Sequence, residues 1–427
     1  MIKKKNWTLQ AASLLAAFVV LAGCDGGNAS STSSKEEGAV YLASTEITAE
    51  SLLTQAIDEV VIPNHVALQT SLTRLQTAQS AYCADPQQAS PAAAQAAWSE
   101  ANEAVQRVNA HPFAVSTFIE QGVALGARLD DEEMIIRKVA SYCAADVQVA
   151  LQAEDSANYS LTGVSTLTRG IHSLERMLFE TSYEHTCPDS TQATLGWNDQ
   201  PLAERQAQRC DYATILIEDM VSANDRILDY WTRLNYGSQL MVEANQADAV
   251  QALFESLFYI ETVKDEKLCI PRESENCPSD SFVFTSAGLS EQTYSELDAS
   301  LESLRAIYTG DEGIGFDDVM AESGFQSSNE TFLTNMHAAS ALINAQADSL
   351  QAQIEALLDA QANEMEEGAV KAQCANASSA PQVATSEAYY VPCRLFGYLK
   401  QAADVLKTDV QSVLDLTVPG TVQGDGD

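Results

Sequence analysis

An imidazole and a carboxylate stand three residues apart at His172 and Glu175, within Thr168-Arg169-Gly170-Ile171-His172-Ser173-Leu174-Glu175-Arg176-Met177-Leu178-Phe179. On a helix that spacing brings both side chains to one face, where they can point at a common atom. Imidazole nitrogen and carboxylate oxygen together suit Zn(II), Fe(II/III) or Cu(II). Two ligands do not make a tight site, so others must come from elsewhere in the chain. The candidates are His65 and Glu59 on the first helix and His111 and Glu120 after the second, although for each an exposed position is the plainer expectation. His185, close to Cys187, and His337, on the polar side of the 327–363 helix, look least involved. Arg169 and Arg176 project away from the pair, toward solvent or an ion-pair partner. By itself the pair says little: 5 His and 60 acidic residues among 427 give an acid at His+3 about 0.7 times by chance. The plain alternative is a half-buried histidine bonded to its helical neighbour.

The element that must hold the pair is a helix over 157–180, with Val164, Leu167, Ile171, Leu174 and Leu178 as its apolar stripe. Gly170 inside it costs about 1 kcal/mol relative to Ala, which points to close approach by a neighbouring helix or a ligand. Other helical runs cover 46–80, with Pro63 kinking or splitting it, and 90–108, stopped near His111-Pro112. Further runs cover 130–151, 202–235 and 245–266. Tyr294, Leu297, Leu301, Leu304 and Tyr308 mark a helix ended by Thr309-Gly310. A capping box from Ser327 to Glu330 opens a helix running to 363, and 384–415 form the last one. Residues 268–287 read as an irregular loop pinned by Cys269 and Cys277, and Cys374 falls in a polar loop. No strand series is convincing, so the fold class is all-α. About 380 folded residues are too many for one simple bundle, which predicts two packed helical-bundle domains from an internal duplication. These are 46–196, carrying the His172 motif, and 197–417, followed by an acidic tail at 418–427.

The N-terminus addresses the compartment. Lys3, Lys4 and Lys5 precede an apolar run from Leu9 to Leu21, and Leu21-Ala22-Gly23-Cys24 resembles the lipobox of bacterial lipoproteins. That resemblance implies removal of residues 1–23, lipid on Cys24, and a periplasm-facing protein anchored in the cell envelope. Asp25 resembles an inner-membrane retention signal. Residues 24–45 are a Ser/Gly-rich tether. Eight further cysteines, Cys83, Cys143, Cys187, Cys210, Cys269, Cys277, Cys374 and Cys393, are an even set with no Cys-x-x-Cys pair, which favours disulfides in an exported chain. Sequence neighbours are the expected partners: 83–143, 187–210, 269–277 and 374–393. The net charge of −37 excludes nucleic acid and anionic lipid surfaces as partners, since both need basic patches.

Gly170-Ile171-His172-Ser173-Leu174-Glu175 resembles the Gly-x-His-x-x-Glu signature of the imelysin-like family of bacterial exported proteins. Val61-Ile62-Pro63, the segment from Ser286 to Gly310, Tyr398 to Leu414 and the ending Gly424-Asp425-Gly426-Asp427 are similar to family elements in the same order. The chain departs from the family at Asn109-Ala110-His111-Pro112-Phe113, and His65 stands where an aromatic is common. The resemblance implies two helical bundles with the motif helix near their interface, and an extracytoplasmic role in iron uptake or homeostasis. It also implies a divalent or iron metal ion at His172 and Glu175, with iron-uptake components as partners. Three functions compete: binding of a metal ion or iron complex, a metallopeptidase, and a non-catalytic protein that binds a partner in a bundle groove. Against the second, His-Glu-x-x-His is absent and no general base is identifiable.

Overall fold

Leu68, Leu72 and Leu75 recur at helical spacing and are all fully buried, so Ile62–Cys83 forms a helix with one face in the core, α1. The same spacing through Ala94, Trp98, Ala101, Val105 and Val108 builds α2, Ala92–Asn109. A computed structural model describes residues 47–111, 138–165, 168–268, 288–364 and 368–419, and every regular element among them is helical. The protein is all-α, as its composition and periodicity predict. The other long helices are α3 (Lys138–Glu154), α4 (Gly170–Phe179), α5 (Leu202–Thr232), α6 (Glu243–Ser256) and α7 (Thr293–Thr309). They are followed by α8 (Gln326–Asn344), α9 (Leu350–Asn363), α10 (Ala369–Ser379) and α11 (Val391–Val405).

Helix α1 packs on α2 and α5, while α2 also meets the motif helix α4 and, from much later in the chain, α7. Helix α8 packs on α7 and α11, and α11 on α10. The described residues belong to one compact unit, Val40–Asp427, and their apolar side chains form one continuous core. Contacts of α1 with α5 and of α2 with α7 cross residue 196, so a duplication into 46–196 and 197–417 is not demonstrated. No helix among the described residues is long and apolar enough to cross a membrane. The expected leader, the tether with Cys24 and Asp25, Glu120, Cys269 and Cys277 lie outside the described residues.

Several expected boundaries move. At Pro63 the first run changes helix type: Ala49–Gln55 continues through a π-helical turn, Ala56–Val61, into α1. Ile62 N–H bonds to Ile57 O, the i−5 carbonyl, and this wider turn absorbs the donor and the space that proline denies. The helix expected over 157–180 is confined to Gly170–Phe179, because turns occupy the residues after Glu154. The run expected over 327–363 is two helices, broken before Ser349, which caps α9 by accepting from Ala352 N–H. The Ser327 capping box does not form, since α8 already begins at Gln326 and Glu330 accepts from the Gln326 side chain at 3.3 Å. Cys374 lies on α10 rather than in a loop.

Disulfide Cys374–Cys393 joins sequence neighbours as expected. The pairs 83–143 and 187–210 are corrected: Cys83 bonds Cys210, and Cys143 bonds Cys187. Side-by-side packing of α1 and α5 places the last residue of α1 beside Cys210, and the segment after α4 returns to α3.

Candidate functional site

Helix α4 starts where the backbone turns left-handed. Gly170 has φ +81°, a region that side-chain-bearing residues rarely adopt, and it is preceded by extended Arg169. Its glycine is therefore required by the turn that launches the helix, not by an approach in a helix interior. Residues Gly170 to Leu178 are all buried, so the motif helix is enclosed on every side. The Trp98 indole N–H of α2 donates to Ile171 O at 2.9 Å and fixes its first turn.

Within that enclosure the two motif side chains face different partners. His172 Nδ1 lies 4.0 Å from Glu296 Oε1 of α7, and both side chains are buried. Glu175 Oε1 accepts the backbone N–H of Ser290 at 2.8 Å, tying α4 to the segment that leads into α7. Burial first, and then the nearby Glu175 charge, push the Tyr142 hydroxyl well above the ordinary phenol range. Arg169 and Arg176 do not reach solvent. Arg169 pairs with Asp219 at 2.9 Å, and Arg176 with Asp146 at 3.3 Å and Glu180 at 2.5 Å. Arg176 also donates to Glu184 O, which Arg209 shares, so the segment after α4 is held by two buried guanidinium groups.

The additional ligand candidates lie elsewhere. His65 and His111 are buried rather than exposed, and their rings meet edge-on at 6.1 Å. His65 Nδ1 bonds Asn224 Oδ1 at 2.8 Å, and His111 Nε2 bonds Asn64 Nδ2 at 3.0 Å. Burial lowers His65 to about 4, and burial together with His65 lowers His111 to about 3. Glu59 is exposed on the π-helical turn. His185 accepts the Cys187 N–H at 3.1 Å, and His337 is exposed. No group of three or more His, Cys, Asp or Glu arranged to hold a metal occurs among the described residues.

Glu296 is the site residue that sequence reasoning missed. It sits in a stripe of Thr293, Glu296, Ser300, Ser303 and Ile307 beside the apolar stripe of α7, and all five are buried. Two adjacent buried stripes, one of them carrying small hydroxyl residues, are the signal that α7 is covered on two sides. The same helix walls a cavity of about 540 Å³ whose lining includes Glu103, Arg107, Ser290, Glu291, Asp298 and Glu302. Burial, opposed by Arg107 and reinforced by neighbouring carboxylates, raises Glu103 above the usual carboxylate range.

As a donor set, His172 and Glu296 fit a metal in one respect. A buried imidazole nitrogen and a buried carboxylate oxygen face each other at 4.0 Å, the donor types that such a metal takes. The profile of the imelysin family, peptidase M75, matches residues 61–387. No curated protein matches the chain. An imelysin-like protein from Psychrobacter arcticum 273-4 is similar in fold, with TM-score 0.55 and 16% identity over 88% of this chain and 100% of that one. A candidate iron-regulated protein A precursor from Parabacteroides distasonis ATCC 8503 has TM-score 0.55 and 14% identity over 86% of this chain and 95% of its own.

Proposed function

We propose, from the premise that this chain belongs to the imelysin family, that it binds a metal ion or small iron complex at His172 and Glu296, with Glu175 alongside. The observation that carries the reading is a buried imidazole of the family motif facing a buried carboxylate from a distant helix. Burying two such groups is costly unless they are paired or ligated, which a surface histidine and glutamate would not face. Two protein ligands leave most of a coordination sphere to the metal's own donors, which favours an iron complex that arrives partly ligated over a bare ion. The lipobox-like Cys24 supports an envelope-anchored protein facing the periplasm, and the name of the Parabacteroides relative supports a role in iron homeostasis. The metal would act there as bound cargo or cofactor. The chain's residues supply the nitrogen and oxygen that hold it and a shell that excludes water.

The test is calorimetric titration of the purified full-length protein with Zn(II), Fe(II) and ferric citrate, beside His172→Ala and Glu296→Gln. Each substitution is expected to weaken binding at least tenfold. Wild-type affinity in both variants would overturn the reading. Chelator-sensitive cleavage of insulin, lost in both variants, would instead make the centre hydrolytic.

A further inference from the structure

Lys267 is fully buried in the π-helical turn Thr262–Lys267, with its ammonium 5.1 Å from the centre of the Tyr259 ring. It donates to Gln106 Oε1 of α2. Gln106 Nε2 donates in turn to Asn102 Oδ1 at 3.1 Å, one helical turn back. Asn102 Nδ2 donates to Glu296 Oε1 at 2.6 Å, and that same oxygen lies 4.0 Å from His172 Nδ1. The chain of donors thus runs one way, from an ammonium to a carboxylate, through three segments of the polypeptide.

Its direction follows from chemistry. An ammonium has three donors and no acceptor, whereas an amide can present either end. Facing Lys267, Gln106 must turn its oxygen outward and its nitrogen toward Asn102. Asn102 must then accept with its oxygen and offer its nitrogen to Glu296. Were Asn102 reversed, its carbonyl oxygen would confront a carboxylate in a buried setting, and two acceptors with no proton between them repel. We infer that Lys267 is a positioning residue of the His172 site: through Gln106 and Asn102 it fixes the Glu296 carboxylate opposite His172. The residue acts entirely through others. The inference rests on the proposed metal reading for its consequence, though not for its geometry.

The test therefore reads the geometry first, in metal-free full-length protein with ¹⁵N-labelled histidine. Lys267→Met should shift the ring signals of His172 while those of His185 and His337 stay fixed. Lys267→Gln, which keeps a donor but adds an acceptor, should shift them partway. Lys267→Met combined with Gln106→Lys moves the ammonium one link along and should return them toward wild type. Unshifted His172 signals in folded Lys267→Met or Lys267→Gln, even with a lower melting temperature, would reduce Lys267 to a stability role and overturn the inference. A second arm titrates Zn(II), for which Lys267→Met should bind at least tenfold more weakly than wild type. If wild type binds none of Zn(II), Fe(II) and ferric citrate, the metal reading falls alone, and the ring signals still decide the relay.

Discussion

Asn224 spends both amide protons, on His65 O and on Gln69 Oε1, each at 2.9 Å, so its oxygen must accept from His65 Nδ1–H. Asn64 donates from Nδ2 to Ser303 Oγ, because the Ser303 proton goes to Arg107 O, and the same nitrogen faces His111 Nε2. His111 therefore accepts at Nε2. Burial disfavours the charged form of both rings, and charge on His65 opposes charge on His111, whose Nε2 would also lose its bond on gaining a proton. Their folded values, lowered to about 4 and about 3, lie below the unfolded value of 6.5. As pH falls from 6.5 toward 4, the unfolded chain gains protons that the folded chain refuses, and stability drops. His65 alone accounts for roughly 3 kcal/mol across that window. Urea unfolding at pH 7 and pH 4.5 should show this loss, and a His65→Gln, His111→Gln double variant should lose markedly less. An identical slope in the double variant would assign the loss to carboxylates instead.

Helix α11 crosses α10 so closely that a Cβ built on Gly397 would lie 2.1 Å from Ser378 O. Because that neighbour is backbone, relief requires the helices to separate, and Gly397→Ala should destabilise the protein by about 1–3 kcal/mol in a thermal or urea melt. An unchanged melt would mean that the crossing is more compliant than its geometry. Gly397 was unremarked in the sequence because nothing in a helical run marks which glycine meets another helix. Long helices were legible where α1, α2, α5 and α7 follow apolar repeats that tertiary packing respects, whereas α10 read as a polar loop around Cys374. Boundaries were less so. Gly170 read as an interior glycine because the apolar repeat runs across it, while its positive φ depends on the turn before it. Of the site, His172 and Glu175 were visible as a motif. Glu296, Asn102, Gln106 and Lys267 were not, since single polar residues on buried faces look like surface positions until their partners are known.

For the molecule as a whole, 23 basic residues stand against 60 acidic ones; among the described residues, five basic ones (Arg169, Arg176, Arg209, Lys264 and Lys267) and four acidic ones (Asp146, Glu175, Glu261 and Glu296) are buried. Burial removes nearly equal numbers of each sign, so the solvent-facing charge stays as strongly negative as the composition suggests. Titrations of any cation need roughly physiological salt to separate a site from this diffuse attraction. The core itself is stapled across long stretches of chain. Cys83–Cys210 spans 127 residues and encloses Cys143–Cys187, which spans 44. A polypeptide that emerges N-terminus first presents Cys143 to Cys83 well before Cys210 exists to compete. An oxidant acting in order of appearance would join 83 to 143 and 187 to 210, the same neighbour pairing that spacing alone suggests. Nested bonds of this kind are reached by delayed oxidation or by reshuffling through mixed disulfides. Translation of the chain in vitro with oxidant present but no free thiol should therefore trap the 83–143 species, detectable by peptide mass mapping, and a glutathione buffer should clear it. Direct formation of 83–210 without thiol would show that α1 and α5 dock before any sulfur reacts. The order in which these cysteines emerge and the order in which they must bond therefore differ.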